Sequence, residues 1–180
     1  MKSLLLLFCV GLGFHPVSSQ IIYKSTSAHI VATGVRNSER VFVESHQSLV
    51  MFNYQAMNVV VQADLRFLET GIDSLNKALQ SGASKPVFFE GKMEMSTLNL
   101  QGHPQQPFDL GGNLTLNSMT KPVRFKGTLT HLSSSDNNAC LFSASATIRL
   151  SDFNLQKQFA EYSDGVSIEI VQVVLRKQSR

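Results

Sequence analysis

The chain has 180 residues, 43% hydrophobic and 16% charged, with net charge +3 and two cysteines. That length suits a single domain with a real core. The cysteine count excludes a disulfide framework, and scattered basic residues behind an export-like start argue against nucleic acid.

The start reads as a secretory signal peptide over residues 1–19. Lys2 supplies the charge, residues 4–10 form an unbroken apolar run, and Val17-Ser18-Ser19 offers small residues ahead of Gln20. The run is too short for a membrane helix, which needs about 20 apolar residues. Bulky Phe8 ahead of Cys9 argues against a lipoprotein signal. Cleavage after Ser19 leaves residues 20–180 as one domain with only Cys140, which sits in an apolar strand and reads as a small buried hydrophobe.

Residues 21–25, 29–35, 40–45 and 49–54 read as strands with imperfect alternation, the last carrying Phe52. The next segment alternates cleanly. Val59, Val61, Ala63, Leu65 and Phe67 face one way and Gln62, Asp64 and Arg66 the other, because successive strand side chains point to opposite faces. Ile72, Leu75 and Leu79 then recur at helical spacing, which predicts one short helix near residues 72–81 that Gly82 stops; with Leu68 it would lie across a barrel end.

Four further segments repeat the strand pattern. Their inward residues are Phe89, Gly91, Met93 and Met95; then Phe108, Leu110, Gly112, Leu114 and Leu116; then Val123, Phe125, Gly127 and Leu129; then Phe142, Ala144, Ala146, Ile148 and Leu150. Val166, Ile168 and Ile170 close the set, ahead of a basic tail, Arg176-Lys177-Gln178-Ser179-Arg180. The tail reads first as a solvated end, with transient contact to anionic membrane headgroups as the alternative. No linker or repeat interrupts the series. The chain is therefore expected to be all-β: a single antiparallel barrel of about eight strands with one short helix.

Glycine is normally avoided inside strands, so several on one inward face mark a close approach: another backbone, a tight bend or a ligand. A barrel of this size either fills itself with side chains or holds one small ligand. The pattern leaves both readings open.

No catalytic constellation is present. Of His15, His29, His46, His103 and His131, none has the His-Glu-x-x-His spacing of zinc enzymes, and there is no phosphate-cradling loop or Gly-x-Ser-x-Gly elbow. Glu90, Glu94, Asp109, Asp152 and Glu169 fall on polar faces or turns and read as solvated. The chain is expected to be no enzyme, with no cofactor and no metal. Arg149 and Asp152 are expected to pair at the rim, as a structural clamp or as headgroup contacts.

Leu114-Thr115-Leu116-Asn117-Ser118-Met119-Thr120-Lys121-Pro122-Val123 resembles the strand-turn-strand motif of the YceI-like family. The strand ending in Arg149-Leu150-Ser151-Asp152-Phe153, the terminal strand from Asp164, and Phe88-Phe89-Glu90-Gly91 after Lys85-Pro86 are similar to further family motifs. Ser118 and Asn154 stand where the family usually has glycine, and residues 71–84 lack its frequent aromatic and acidic helix. The resemblance implies a lipocalin-like barrel, periplasmic or secreted, that holds an isoprenoid, quinone-like or other amphiphilic lipid.

Under that reading the lumen is lined by Phe52, Val61, Leu65, Phe67, Phe89, Gly91, Met93, Met95, Leu110, Gly112, Leu114, Phe125, Gly127, Phe142, Ala144, Ala146, Ile148 and Ile168. The alternative is a structural or protein-interaction module whose phenylalanines, Phe52, Phe67, Phe89, Phe125 and Phe142, fill the lumen. A dimer is compatible with either.

Overall fold

A computed structural model describes residues 20–81, 86–95, 105–132 and 139–178. Residues 1–19, Gly82, His103 and the polar turn at 133–138 lie outside them.

Eight antiparallel strands close into a barrel in chain order: β1 Ile22–Arg36, β2 Glu39–Asn53, β3 Asn58–Ala63, β4 Val87–Glu94, β5 Gln106–Leu116, β6 Met119–His131, β7 Ala139–Arg149 and β8 Gly165–Lys177. β8 pairs back onto β1, with Ile30 opposite Ile170 and Thr33 opposite Ser167. Closure removes the sheet edges wherever neighbouring strands pair.

The four early segments are two long strands. In β1 the register against β2 shifts on both sides of Ala28, and between the Ile30–Ser45 and Ala28–Ser48 pairs β2 carries one residue more than β1. Such a bulge sends successive side chains to unexpected faces, which interrupts the alternation. Ser45 and Ser48 are buried there, Ser48 donating its hydroxyl to Ser45 Oγ at 2.9 Å.

The segment read as one strand to Phe67 ends at Ala63. Asp64 accepts from the Arg66 amide and the chain turns into a 3-10 helix over Leu65–Phe67. Helix α1, Asp73–Ser81, follows, with Thr70 Oγ1 accepting from the Ile72 amide and donating to Asn76 Oδ1. Among the described residues no helix is long and apolar enough to cross a membrane.

Two hairpins at one end share a turn chemistry. Asn37-Ser38 and Asn117-Ser118 each hold both central residues at positive φ, 50° and 67° in the first, 50° and 62° in the second. That is the turn type whose twist matches a two-residue hairpin, normally served by Asn-Gly. A serine in this region is strained by roughly 1 kcal/mol. Ser118→Gly should therefore raise the unfolding free energy by about 1 kcal/mol, read as a higher urea midpoint at unchanged slope. Asn154, the other departure from glycine, also lies in the left-handed region, at φ 57°.

The strands part twice towards this hairpin end. β6 pairs with β7 only over Lys126–His131, so Met119–Phe125 runs beyond it and Pro122, which has no N–H to give, is tolerated. A second 3-10 helix, Leu150–Phe153, packs against that stretch, and Asn117 Nδ2 donates to the Phe153 carbonyl at 3.1 Å. Likewise β2 pairs with β3 only from Leu49 onward, and beyond it Glu44 and Glu69 exchange backbone hydrogen bonds of 2.8 and 2.9 Å. The barrel thus flares at one end, and irregular segments close the flare.

Candidate functional site

The inward face divides into two halves along the barrel axis. At the end where β1 begins and β8 ends the lumen is filled with side chains. Phe52, Tyr54, Leu110, Leu129, Phe142, Leu175 and Cys140 are fully buried there, with Tyr23, Met93, Phe108 and Val173 nearly so. Phe108 and Phe142 stack at 5.2 Å, and Tyr54 is hydrogen-bonded to His131 Nε2.

Towards the flared end a cavity of about 240 Å³ remains. Each strand contributes its inward residues to the wall: Ile30, Ala32 and Gly34; Val41, Val43 and Ser45; Val61 and Ala63; Val87 and Phe89; Leu114 and Leu116; Phe125; Ile148; Val166, Ile168 and Ile170. The cover comes from the two long connections. Leu65, Leu68, Leu75, Ala78 and Leu79 arrive from the β3–β4 segment, and Leu150, Leu155, Gln158, Phe159 and Tyr162 from the β7–β8 segment. The two meet where Gln158 Nε2 donates to the Ala78 carbonyl at 3.4 Å. The lining is almost wholly apolar. Its polar side chains are Ser45, already bonded to Ser48, and Asn117, Ser118, Gln158 and Tyr162 near the mouth.

The residues expected to line the lumen separate accordingly. Val61, Leu65, Phe89, Leu114, Phe125, Ile148 and Ile168 lie on the cavity wall. Phe52, Met93, Leu110, Phe142, Ala144 and Ala146 are buried in the core cluster but off that wall, with Met95 partly buried against it. Phe67 is 47% exposed, because the turn after Ala63 carries it out of the strand alternation.

The inward glycines fall to the first of their three readings, the close approach of another backbone, with phenyl rings beside it. A Cβ on Gly91 would come within 2.6 Å of the Phe89 ring and 2.7 Å of the Gly111 carbonyl. On Gly112 it would lie 2.3 Å from the Glu90 carbonyl, and on Gly127 2.2 Å from the Ser143 carbonyl and 2.4 Å from the Phe108 ring. These glycines admit neighbouring backbone and phenyl rings. They hold no space for a ligand.

The expected rim pair is also different. Among the described residues no ion pair joins Arg149 to Asp152. Instead Asp164 accepts from the Ser151 amide and hydroxyl, both at 2.8 Å, and those bonds, with Arg149 nearby, hold its carboxyl below the usual range. A rim clamp does exist, from residues the sequence did not single out. Arg36 pairs with Glu161 at 2.6 Å, lies over the Tyr162 ring, and bridges Tyr162 through its backbone. The Tyr162 ring packs beside Gly34, where a Cβ would sit in ordinary contact 3.6 Å from Tyr162 Cδ1. Tyr162 is thereby fixed over the cavity mouth. Only the pairing of two segments 126 positions apart in the chain reveals it.

His29, Glu44 and His46 also converge, on the outer face of β1 and β2. Spacing rules for helix-borne ligands could not find them, because they are assembled by strand register.

Cys140 fits its sequence reading. It is fully buried, and burial pushes its thiol up to about 12. Burial likewise raises Tyr23 and Tyr54 above their ordinary value of 10. In the unfolded chain the thiol ionises near 9 and the phenols near 10, while the folded protein keeps these protons. Stability is therefore intact below about pH 9 and is lost as pH rises through the window from 9 towards 12. Thermal melts from pH 8 to 11 should show a falling midpoint, with a shallower fall in Cys140→Ala.

Comparison with known proteins agrees with this architecture. Among curated proteins no sequence matches the chain. Among solved structures, a polyisoprenoid-binding domain from Saccharophagus degradans implicated in plant cell wall breakdown superposes with a TM-score of 0.69 at 12% identity, covering 90% of this chain and all of that one. Burkholderia cenocepacia BcnA gives 0.61 at 14% identity, covering 84% and 96%. A mutant CJ YceI protein with a monobromobimane guest gives 0.53 at 14%, covering 74% and 81%. These likenesses establish the shared barrel fold. The sequence profile of the YceI-like domain matches residues 16–174, so the chain belongs to the YceI-like family.

Proposed function

We propose that this protein is an exported carrier that holds the apolar end of an isoprenoid, quinone-like or other amphiphilic lipid in the flared half of its barrel. The observation that carries this reading is the cavity itself: about 240 Å³ enclosed by aliphatic and aromatic side chains, with polar groups gathered at the mouth. An apolar chain in such a site gains about 25 cal/mol for each Å² withdrawn from water, and needs few polar partners. The volume falls below the roughly 300–1,000 Å³ of sites for drug-sized ligands, so it suits a narrow chain with its headgroup outside. On β1 the wall runs from Ile30 to Gly34, four residue steps, or roughly 13 Å of strand. That depth takes the end of a long chain, the rest leaving past Tyr162.

The filled-lumen reading applies to the other half, where Phe108 and Phe142 occupy the space. The barrel shared with the polyisoprenoid-binding domain of Saccharophagus degradans supports the choice of ligand class. Export to a periplasmic or extracellular space rests on the charged start, the apolar run over residues 4–10 and the small residues before Gln20. No catalytic role is assigned to any cavity residue. The test is organic extraction of natively purified protein followed by mass spectrometry. A near-stoichiometric prenyl or acyl lipid, absent from protein refolded without lipid, is the expected result. Empty protein that also fails to take up added geranylgeraniol would refute the reading.

A further inference from the structure

His29, Glu44 and His46 sit outside the barrel wall, away from the cavity. Glu44 and His46 are two residues apart on β2 and share its outer face. The bulge opposite Ala28 brings β1 and its His29 alongside them. The two imidazoles stack at 4.3 Å with planes 18° apart. Glu44 Oε2 lies 3.1 Å from His29 Nε2 and 3.6 Å from His46 Nε2. One donor atom from each of the three residues falls within 4.8 Å of the others.

We propose that these three residues form a binding site for a divalent ion of the zinc class, with the fourth position open to water. Two imidazoles and one carboxylate suit zinc, nickel or copper, whereas calcium and magnesium prefer all-oxygen sets. Ligands placed 2.0–2.1 Å from a tetrahedral ion are about 3.3 Å from one another, and the two distances at Glu44 bracket that edge. Closing the third edge takes rotation of the two imidazoles out of their stack, so that both ring planes meet at the ion. Without a metal the same side chains form a weak exposed ion pair. That alternative accounts for both contacts at Glu44, and titration with metal separates it from the ion site.

The location gives the ion a consequence. Glu44 is the residue whose backbone exchanges hydrogen bonds with Glu69, and Glu69 leads into α1 over the cavity. A metal joining β1 to β2 at this point stiffens the strand to which the cover is tied. The ion site is independent of what fills the cavity.

The test is a titration of tag-free protein with Zn²⁺, followed by calorimetry in a non-chelating buffer. One equivalent should bind in the micromolar range and raise the melting temperature. His29→Ala and His46→Ala should each weaken binding by at least about tenfold, while His103→Ala leaves it unchanged. In the presence of chelator His46→Ala should melt with the parent, and His29→Ala, whose side chain is 33% exposed, should fall only slightly below it. A measurement on the parent alone guards against misfolding: substoichiometric Cu²⁺ should broaden the NMR signals of His29, Glu44 and His46 first. Broadening centred on His103 or His131, or Zn²⁺ affinity that survives loss of both His29 and His46, would overturn the proposal. So would the absence of any saturable binding.

Discussion

Phe142→Ala should lower the unfolding free energy by about 3–5 kcal/mol, a large share of the 5–15 kcal/mol typical of a domain. The Phe142 ring is fully buried in the packed half and stacks on Phe108 at 5.2 Å. Phe108 in turn lies against Gly127, so neither neighbour can advance to fill the void without breaking its own contact. The cost combines lost transfer energy with an unrelaxed cavity. The readout is a lower urea midpoint at unchanged slope, which separates lost stability from a changed unfolded state. Phe67→Ala is the matched comparison. Its ring is 47% exposed after the turn at Ala63, so the change should stay within about 0.5 kcal/mol. A hollow extending the full length of the barrel predicts a mild Phe142→Ala, and that outcome would displace the two-half description.

Ala32→Phe should weaken binding of an apolar chain at least about tenfold, equivalent to about 1.4 kcal/mol. Ala32 lies in the middle of the cavity wall, paired with Val43 on one side and Ile168 on the other. A phenyl group there points into a space of about 240 Å³ and occupies the volume the chain would take. Because the space is available, the substitution should alter stability by less than about 1.5 kcal/mol. Ala63→Phe repeats the test from the β3 wall, and Phe88→Ala, on the outer face, should leave affinity unchanged. Titration with geranylgeraniol, followed by quenching of a bound polyene fluorophore, measures all three. Unchanged affinity in both filled variants would place the ligand elsewhere.

The parts of this architecture that were legible in the sequence are those governed by local rules. Strict alternation over residues 108–116 and 142–150 identified strands and their inward faces, because the extra residue at the register shift between the Phe142 and Ala144 pairs lies in β8 and leaves the alternation of β7 intact. The spacing of Ile72, Leu75 and Leu79 located α1, and Leu75 and Leu79 do face the cavity. Local rules failed where the chain departs from the ladder. The bulge at Ala28 made β1 and β2 look like four short strands. The bonds from Asp64 to Arg66 turned the chain before Leu65, so a correct alternation was carried too far and put Phe67 inside.

Quantities that depend on distant pairing were not legible at all. The division into a packed and a hollow half rests on where bulky residues from eight strands meet around one axis. Strand alternation reports which face a residue occupies and is silent on its height. The glycines illustrate this. Gly91, Gly112 and Gly127 were rightly read as positions of close approach, yet what approaches them is Phe89, Phe108 and neighbouring carbonyls. The Arg36–Glu161–Tyr162 clamp and the His29–Glu44–His46 cluster likewise exist only through register between segments remote in sequence.

The most direct test of the central claim is methyl NMR of the isoleucine, leucine and valine residues during titration with geranylgeraniol. The account predicts saturable shifts and ligand NOEs at Ile30, Val61, Leu114, Ile148 and Ile168, which line the cavity. It predicts none at Leu110, Leu129, Val173 and Leu175, which fill the opposite half. Shifts spread evenly over both sets, or confined to methyls outside the barrel, would contradict it.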